Sequence, residues 1–337
     1  MPSLVDLTVE IAGITLQSPL MLAASPLTMS LENLEKAVKC NVGAVDTKVT
    51  VEVRPPEVKP LQCTYWDPEL KSLHWITRGG GSLYIEDAEN LIKAAKRRLS
   101  VPVFGNFMGR SDDPKEWIRV CRRLQEAGAD AIVTFFGSLP RHEWTFKTIE
   151  LSSKILEPLC ESLDIPVIFK IAPMDALLIP VEVAEAMEKA GVGALQATDY
   201  LPGFPSLNVE KAPFHQFPGI DVQRNRQFVS GPILRPIVYR AVYELSKAVK
   251  IPIIATGGMW EAKYAIESIL YGASAVAVAS GPIVKGWRML KDIVEGIRNY
   301  LERHSYTKID DFKGLAQQYV GESEEILPQD SRRRTRT

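Results

Sequence analysis

The chain has 337 residues, 46% hydrophobic and 24% charged, the balance of a globular protein with a large core. Forty basic against 41 acidic side chains leave a net charge of -1, so no overall field draws in nucleic acid or an anionic membrane. Four scattered cysteines form no C-x-x-C pair, which argues against a metal or iron–sulfur centre and for reduced thiols in a cytoplasmic protein, and the first ten residues lack the apolar run of a signal peptide or membrane span.

Taken in chain order, β-rich apolar runs at 20–23, 44–49, 101–106, 131–135, 167–171, 194–198, 253–256 and 275–279 alternate with helix-period segments. The helices are expected at 31–39, 85–99, 114–127, 146–163, 181–190, 233–247, 261–270 and 289–304. Alternation of this kind means parallel strands with crossover helices, and eight units close a (β/α)8 TIM barrel. Pro102, Pro166 and Pro252 each stand at a strand entrance, where a missing N–H costs no ladder bond. Gly128, Gly191 and Gly272 sit where helices end in a left-handed cap. The segments 52–84 and 200–230 have no helical period and follow strand ends, so they are expected as long loops over the C-terminal face. A single barrel domain over 1–320 and a charged, disordered tail over 321–337 complete the expected organisation.

Several polar residues interrupt these apolar strands near their C-terminal ends. Lys48 and Lys170 stand in strands that would bury them, which calls for an anionic partner, and at a barrel mouth a ligand is the natural one. Asn106 and Thr198 offer hydrogen-bonding groups at the same level. Gly257 and Gly258, with the amides around Ala279, Ser280 and Gly281, follow the last two strands, where barrels of this class hold phosphate groups. Together they point to a phosphorylated cofactor or substrate.

These residues also carry a family resemblance. Gly13-Ile-Thr-Leu-Gln-Ser-Pro-Leu, Leu22-Ala-Ala-Ser, Thr47-Lys-Val-Thr, the Lys170 strand, Ala197-Thr-Asp-Tyr, Val229-Ser-Gly-Pro-Ile-Leu-Arg-Pro and Ala255-Thr-Gly-Gly, with Ile309-Asp-Asp-Phe-Lys-Gly-Leu-Ala near the end, resemble the flavin-dependent dihydroorotate dehydrogenases. The resemblance is to their soluble class and to the flavin barrel of dihydropyrimidine dehydrogenases, and it spans residues 7–320. It implies noncovalent FMN and a homodimer. It places Ala23, Ala24, Ser25 and Lys48 against the isoalloxazine ring, Lys170 near its N1 and O2, and Gly231, Gly257, Gly258, Ala279 and Ser280 on the phosphate; Asn106 and Thr198 join the cofactor site.

The departures from the family pattern fall on substrate residues. Where the family has Asn-x-Ser-Cys-Pro-Asn after the fourth strand, this chain has Phe136-Gly-Ser-Leu-Pro-Arg, so Leu139 stands in place of the proton-accepting cysteine. His74 leads the segment that replaces an Asn-x-x-Gly pattern, and Asp199 replaces an asparagine. Ser138 and His142 are the candidate catalytic replacements for the base, histidine having the better-placed pKa; His74, Arg141 and Asp199 are the candidate substrate contacts. Three readings follow: an FMN oxidoreductase acting on a small non-orotate substrate, a dihydroorotate dehydrogenase with a relocated base, or a non-catalytic FMN barrel serving a partner protein. A tRNA dihydrouridine synthase is disfavoured, because no basic surface or extra helical domain is evident.

Overall fold

The computed structural model describes residues 5–52, 61–78, 81–109, 112–136, 144–171, 181–198, 200–206, 209–210 and 226–319. Eight parallel strands form the wall: β1 (Leu20–Leu22), β2 (Ala44–Asp46), β3 (Val103–Gly109), β4 (Ala131–Phe136), β5 (Val167–Ile171), β6 (Ala194–Ala197), β7 (Ile253–Thr256) and β8 (Ala275–Val278). Each pairs with its sequence neighbour, and β8 returns to β1 through Val276 opposite Leu20, so the sheet closes and leaves no barrel edge open. The expected (β/α)8 barrel is therefore the fold. The tail expected at 321–337 lies outside the described residues.

The proline reading has a physical basis. Pro102, Pro166 and Pro252 sit one residue before β3, β5 and β7, and their carbonyls accept from Val45, Ile132 and Leu195 at 2.9–3.1 Å. Each supplies the acceptor half of a ladder bond at a position that needs no donor. The three glycines chosen as helix caps all have φ between +88° and +115°.

Helices α1 (Leu31–Val38), α2 (Ile85–Arg98), α3 (Pro114–Glu126), α4 (Trp144–Leu151), α5 (Val181–Lys189), α6 (Arg235–Ala248), α7 (Ala262–Leu270) and α8 (Arg288–Arg303) surround the wall. After α4 a π turn at Ser152–Leu156, in which the Ser152 hydroxyl donates to the Thr148 carbonyl, leads into a last helical piece, Glu157–Ser162. Period-two alternation divides the strand side chains between two cores. Val45, Val103, Ile132, Val167, Leu195, Ile253 and Val276 pack outward against the helices, whereas Met21, Ala44, Phe104, Val133, Ile168, Ala194, Ile254 and Ala277 fill the barrel. A hairpin, Val9–Ile11 with Ile14–Leu16, pushes the fully buried Ile11 and Leu16 into the same interior cluster and plugs the N-terminal end.

In their described parts, the two segments expected as irregular loops instead build a second sheet, the lid sheet, which packs beyond the C-terminal end of β7. Leu61–Asp67 and Ser72–Arg78 form an antiparallel hairpin; Arg226–Ser230 adds to the second strand and Leu201–Pro202 to the far edge. Trp66 from this sheet stacks on Trp260, which follows β7, with ring centroids 5.2 Å apart. The Trp75 indole donates to the Ser230 hydroxyl at 2.8 Å.

Candidate active site at the C-terminal rim

Because side chains alternate, the residue two beyond each interior apolar side chain also points into the barrel, one layer nearer its C-terminal mouth. That step leads from Phe104 to Asn106, from Ile168 to Lys170, from Ala194 to Gln196, from Ile254 to Thr256, from Met21 to Ala23 and from Ala277 to Ala279. The same step on β2 leads from Ala44 to the fully buried Asp46, so the upper interior is polar on β2, β3, β5, β6 and β7 and lined by methyl groups on β8 and β1. Lys170 is 3% exposed and holds its ammonium 5.7 Å from the centre of the Phe135 ring.

Asn106 and Gln196 are 0% and 1% exposed, and neither amide oxygen nor amide nitrogen of either side chain has a hydrogen-bond partner among the described residues; the same holds for the Thr256 hydroxyl. Each such group costs about 1–3 kcal/mol if it stays unpaired. Five unpaired atoms in the upper interior around a buried amine mark the seat of a polar ligand. A flavin ring, with carbonyls and an N–H along one edge and an apolar opposite side, matches a wall that is polar on one side and alanine-lined on the other.

Above β7 the chain turns through Gly257 and Gly258, at φ +117° and +78°, and meets Gly231 at φ +99° after the lid strand Arg226–Ser230. A Cβ on Gly258 would lie 2.6 Å from the Gly231 carbonyl oxygen and 3.0 Å from Cγ of Arg235, so the two turns touch backbone to backbone. Ser280, past the end of β8, is buried and accepts a hydrogen bond from the Trp260 indole at 3.2 Å, which leaves its own hydroxyl proton to donate elsewhere. Small residues, backbone amides and one hydroxyl make an arrangement that could cradle a phosphate.

The remaining expected residues occupy varied positions. The Ala24 amide donates to Asp46 at 3.4 Å, and the buried Ser25 hydroxyl caps its own short helix by accepting from the Leu27 amide. Lys48 is half-buried just past β2, its amide bonded to the Thr28 carbonyl. Thr198 is buried and bonded to the Thr256 carbonyl through its amide and its hydroxyl. His74 lies on the lid sheet rather than on a barrel strand. It is buried, its Nε2 is 2.8 Å from the Ser72 hydroxyl, and burial pushes its pKa below the ordinary value while Asp67 pulls partly back. Ser138, Arg141, His142 and Asp199 lie outside the described residues.

Gln196, Thr256, Trp260 and Arg235 were not singled out from the sequence. Counting two residues on from each interior apolar side chain finds the first two; the other two are visible only once the glycine turns are folded together. A separate concavity of about 500 Å³ opens near Thr8, Lys250 and Ser274, at the N-terminal ends of β7 and β8, the face that in such barrels serves stability rather than chemistry.

A closed parallel barrel that joins a glycine cradle to a buried amine and unpaired amides at its C-terminal mouth belongs among the barrel enzymes that hold a phosphate-tailed cofactor. Comparison narrows this to one family. The family profile described as dihydroorotate dehydrogenase matches residues 6–301, and the chain belongs to that family. It is an FMN-dependent oxidoreductase acting on a CH–CH bond. Similar proteins include the catalytic subunits of dihydroorotate dehydrogenase B (NAD(+)) from Pyrococcus furiosus, 29% identical over 93% of this chain and 99% of the relative, and from Thermoplasma acidophilum, 26% identical over 92% and 99%. The subunit of the same name from Lachnoclostridium phytofermentans is 25% identical over 91% and 98%. No helix among the described residues is long and apolar enough to cross a membrane.

Proposed function

We propose that this enzyme moves a hydride between flavin N5 and a carbon of a small ring or enone-like substrate other than dihydroorotate. The observation that carries this reading is the position of Phe136. Where the family pattern has a substrate-binding asparagine, Phe136 is buried in the outer core, edge-on to Trp117 at 5.5 Å and 4.9 Å from Phe169. An aromatic ring packed among aromatics cannot offer an amide to a polar substrate. Leu139 in place of the base, and Arg141 and Asp199 in place of asparagines, point the same way.

In this proposal the cradle of Gly231, Gly257, Gly258, Ala279 and Ser280 holds the FMN phosphate. Ala23, Ala24 and Ser25 leave room for the ring, with Lys48, Asn106 and Thr198 around it. Bound FMN supplies the two-electron acceptor at N5. Lys170 presents a fixed positive charge where negative charge accumulates on reduction, and Arg141, His74 and Asp199 recognise the substrate. As the hydride leaves one substrate carbon, the proton on its neighbour passes to a base in the 137–143 segment that follows β4 in sequence, His142 or Ser138. A single domain over 1–320, a homodimer and a cytoplasmic location belong to the same proposal.

The names of the relatives favour a second reading, oxidation of dihydroorotate itself with the base relocated. Anaerobic mixing of the purified yellow protein with dihydroorotate decides between them: the first reading expects the visible flavin absorption band to persist, and rapid bleaching would establish the second.

A further inference from the structure

We propose that the side-chain amide of Gln196 binds the pyrimidine edge of the flavin ring, accepting from its N3–H and donating to an adjacent ring carbonyl. The inference rests on the FMN reading above and adds to it a residue that neither the sequence motifs nor the family pattern supplied. Gln196 stands directly opposite Lys170 in the β5–β6 register, so the two side chains enter the barrel on adjacent strands about 4.8 Å apart. Its inward direction follows from Ala194, two residues earlier in the interior cluster, and from Leu195 and Ala197, which pack outward.

Both heteroatoms of this amide are buried and without a hydrogen-bond partner among the described residues, and its interior neighbours Ile168, Ala194 and Ile254 are apolar. These apolar neighbours cannot satisfy the amide, and a ligand entering at the mouth can. A primary amide offers one donor and one acceptor side by side, the pairing by which glutamine reads the edge of a planar heterocycle. The pyrimidine edge of isoalloxazine offers the complement, an N–H flanked by two carbonyls. Asn106 has the same unpaired signature but stands on β3, two strands from Lys170.

The test compares FMN with N3-methyl-FMN on the full-length apoprotein, by fluorescence quenching, for wild type, Gln196→Leu and Gln196→Met. Wild type is expected to bind FMN roughly 5- to 30-fold more tightly than either variant, the worth of one or two hydrogen bonds, and to lose a similar factor when N3 carries a methyl group. Both variants should bind the two flavins about equally, and as apoproteins should melt no lower than wild type, because an unsatisfied buried amide has been removed. FMN affinity within twofold of wild type in both variants overturns the proposal while leaving the cofactor reading intact. An equal loss for FMN and N3-methyl-FMN overturns it too, by moving the amide's effect off this edge. Failure of the wild type to bind FMN overturns the cofactor reading itself.

Discussion

Gly258→Ala puts the phosphate cradle to a quantitative test. A methyl group there would sit 2.6 Å from the Gly231 carbonyl oxygen, and ordinary contact begins near 3.4 Å, so the two turns have to separate by about 0.8 Å. Gly13→Ala is the matched control. Its φ of +79° equals that of Gly258 within a degree, but no atom lies within 4 Å of the added methyl, and it sits in the plug hairpin at the opposite end of the barrel. Both variants incur the left-handed backbone cost of about 1–2 kcal/mol. Only Gly258→Ala also moves the amides that the proposal assigns to the phosphate, by more than a hydrogen bond tolerates, and each bond to a charged group is worth about 1.5–3 kcal/mol. The preference for FMN over riboflavin should therefore fall about 10- to 100-fold in Gly258→Ala and stay unchanged in Gly13→Ala, as measured by titrating apoprotein with each flavin. An unaltered FMN-to-riboflavin ratio in Gly258→Ala would refute the placement of the phosphate.

Lys170→Met keeps the length of the side chain while removing its charge, so packing should survive; FMN affinity should fall and the flavin midpoint potential should shift negative, and spectroelectrochemistry showing an unchanged potential would count against the assigned role. His74, with a folded pKa pushed below 6.5, takes up its proton more readily in the unfolded chain. Its contribution to stability is therefore complete above pH 6.5 and declines as the pH falls below that value, and His74→Asn should flatten this part of the profile in thermal melts between pH 7.5 and 5.5. Equal slopes for the two proteins would remove His74 from the explanation.

Much of the barrel was legible because its signals were local. Val167–Ile171 and Ile253–Thr256 begin and end where apolar runs and a preceding proline place them, and α2 and α8 differ by a residue at one or both ends from the expected spans. The lid sheet escaped for a different reason. Leu-Gln-Cys-Thr-Tyr-Trp-Asp and Ser-Leu-His-Trp-Ile-Thr-Arg have the β-branched and aromatic content of strands, but their third partner, Arg226–Ser230, is some 150 residues away, and no local pattern announces that pairing. At the site, Lys170 stood out because a charge in an apolar strand is conspicuous. Gln196 did not, since its meaning depends on which strand face it occupies and on the register with Lys170.

The hairpin that stoppers the lower end of the barrel fixes the traffic of the enzyme. With Ile11 and Leu16 wedged into the interior, a small molecule cannot slip in from beneath, and the polar upper layer opens only toward the C-terminal rim.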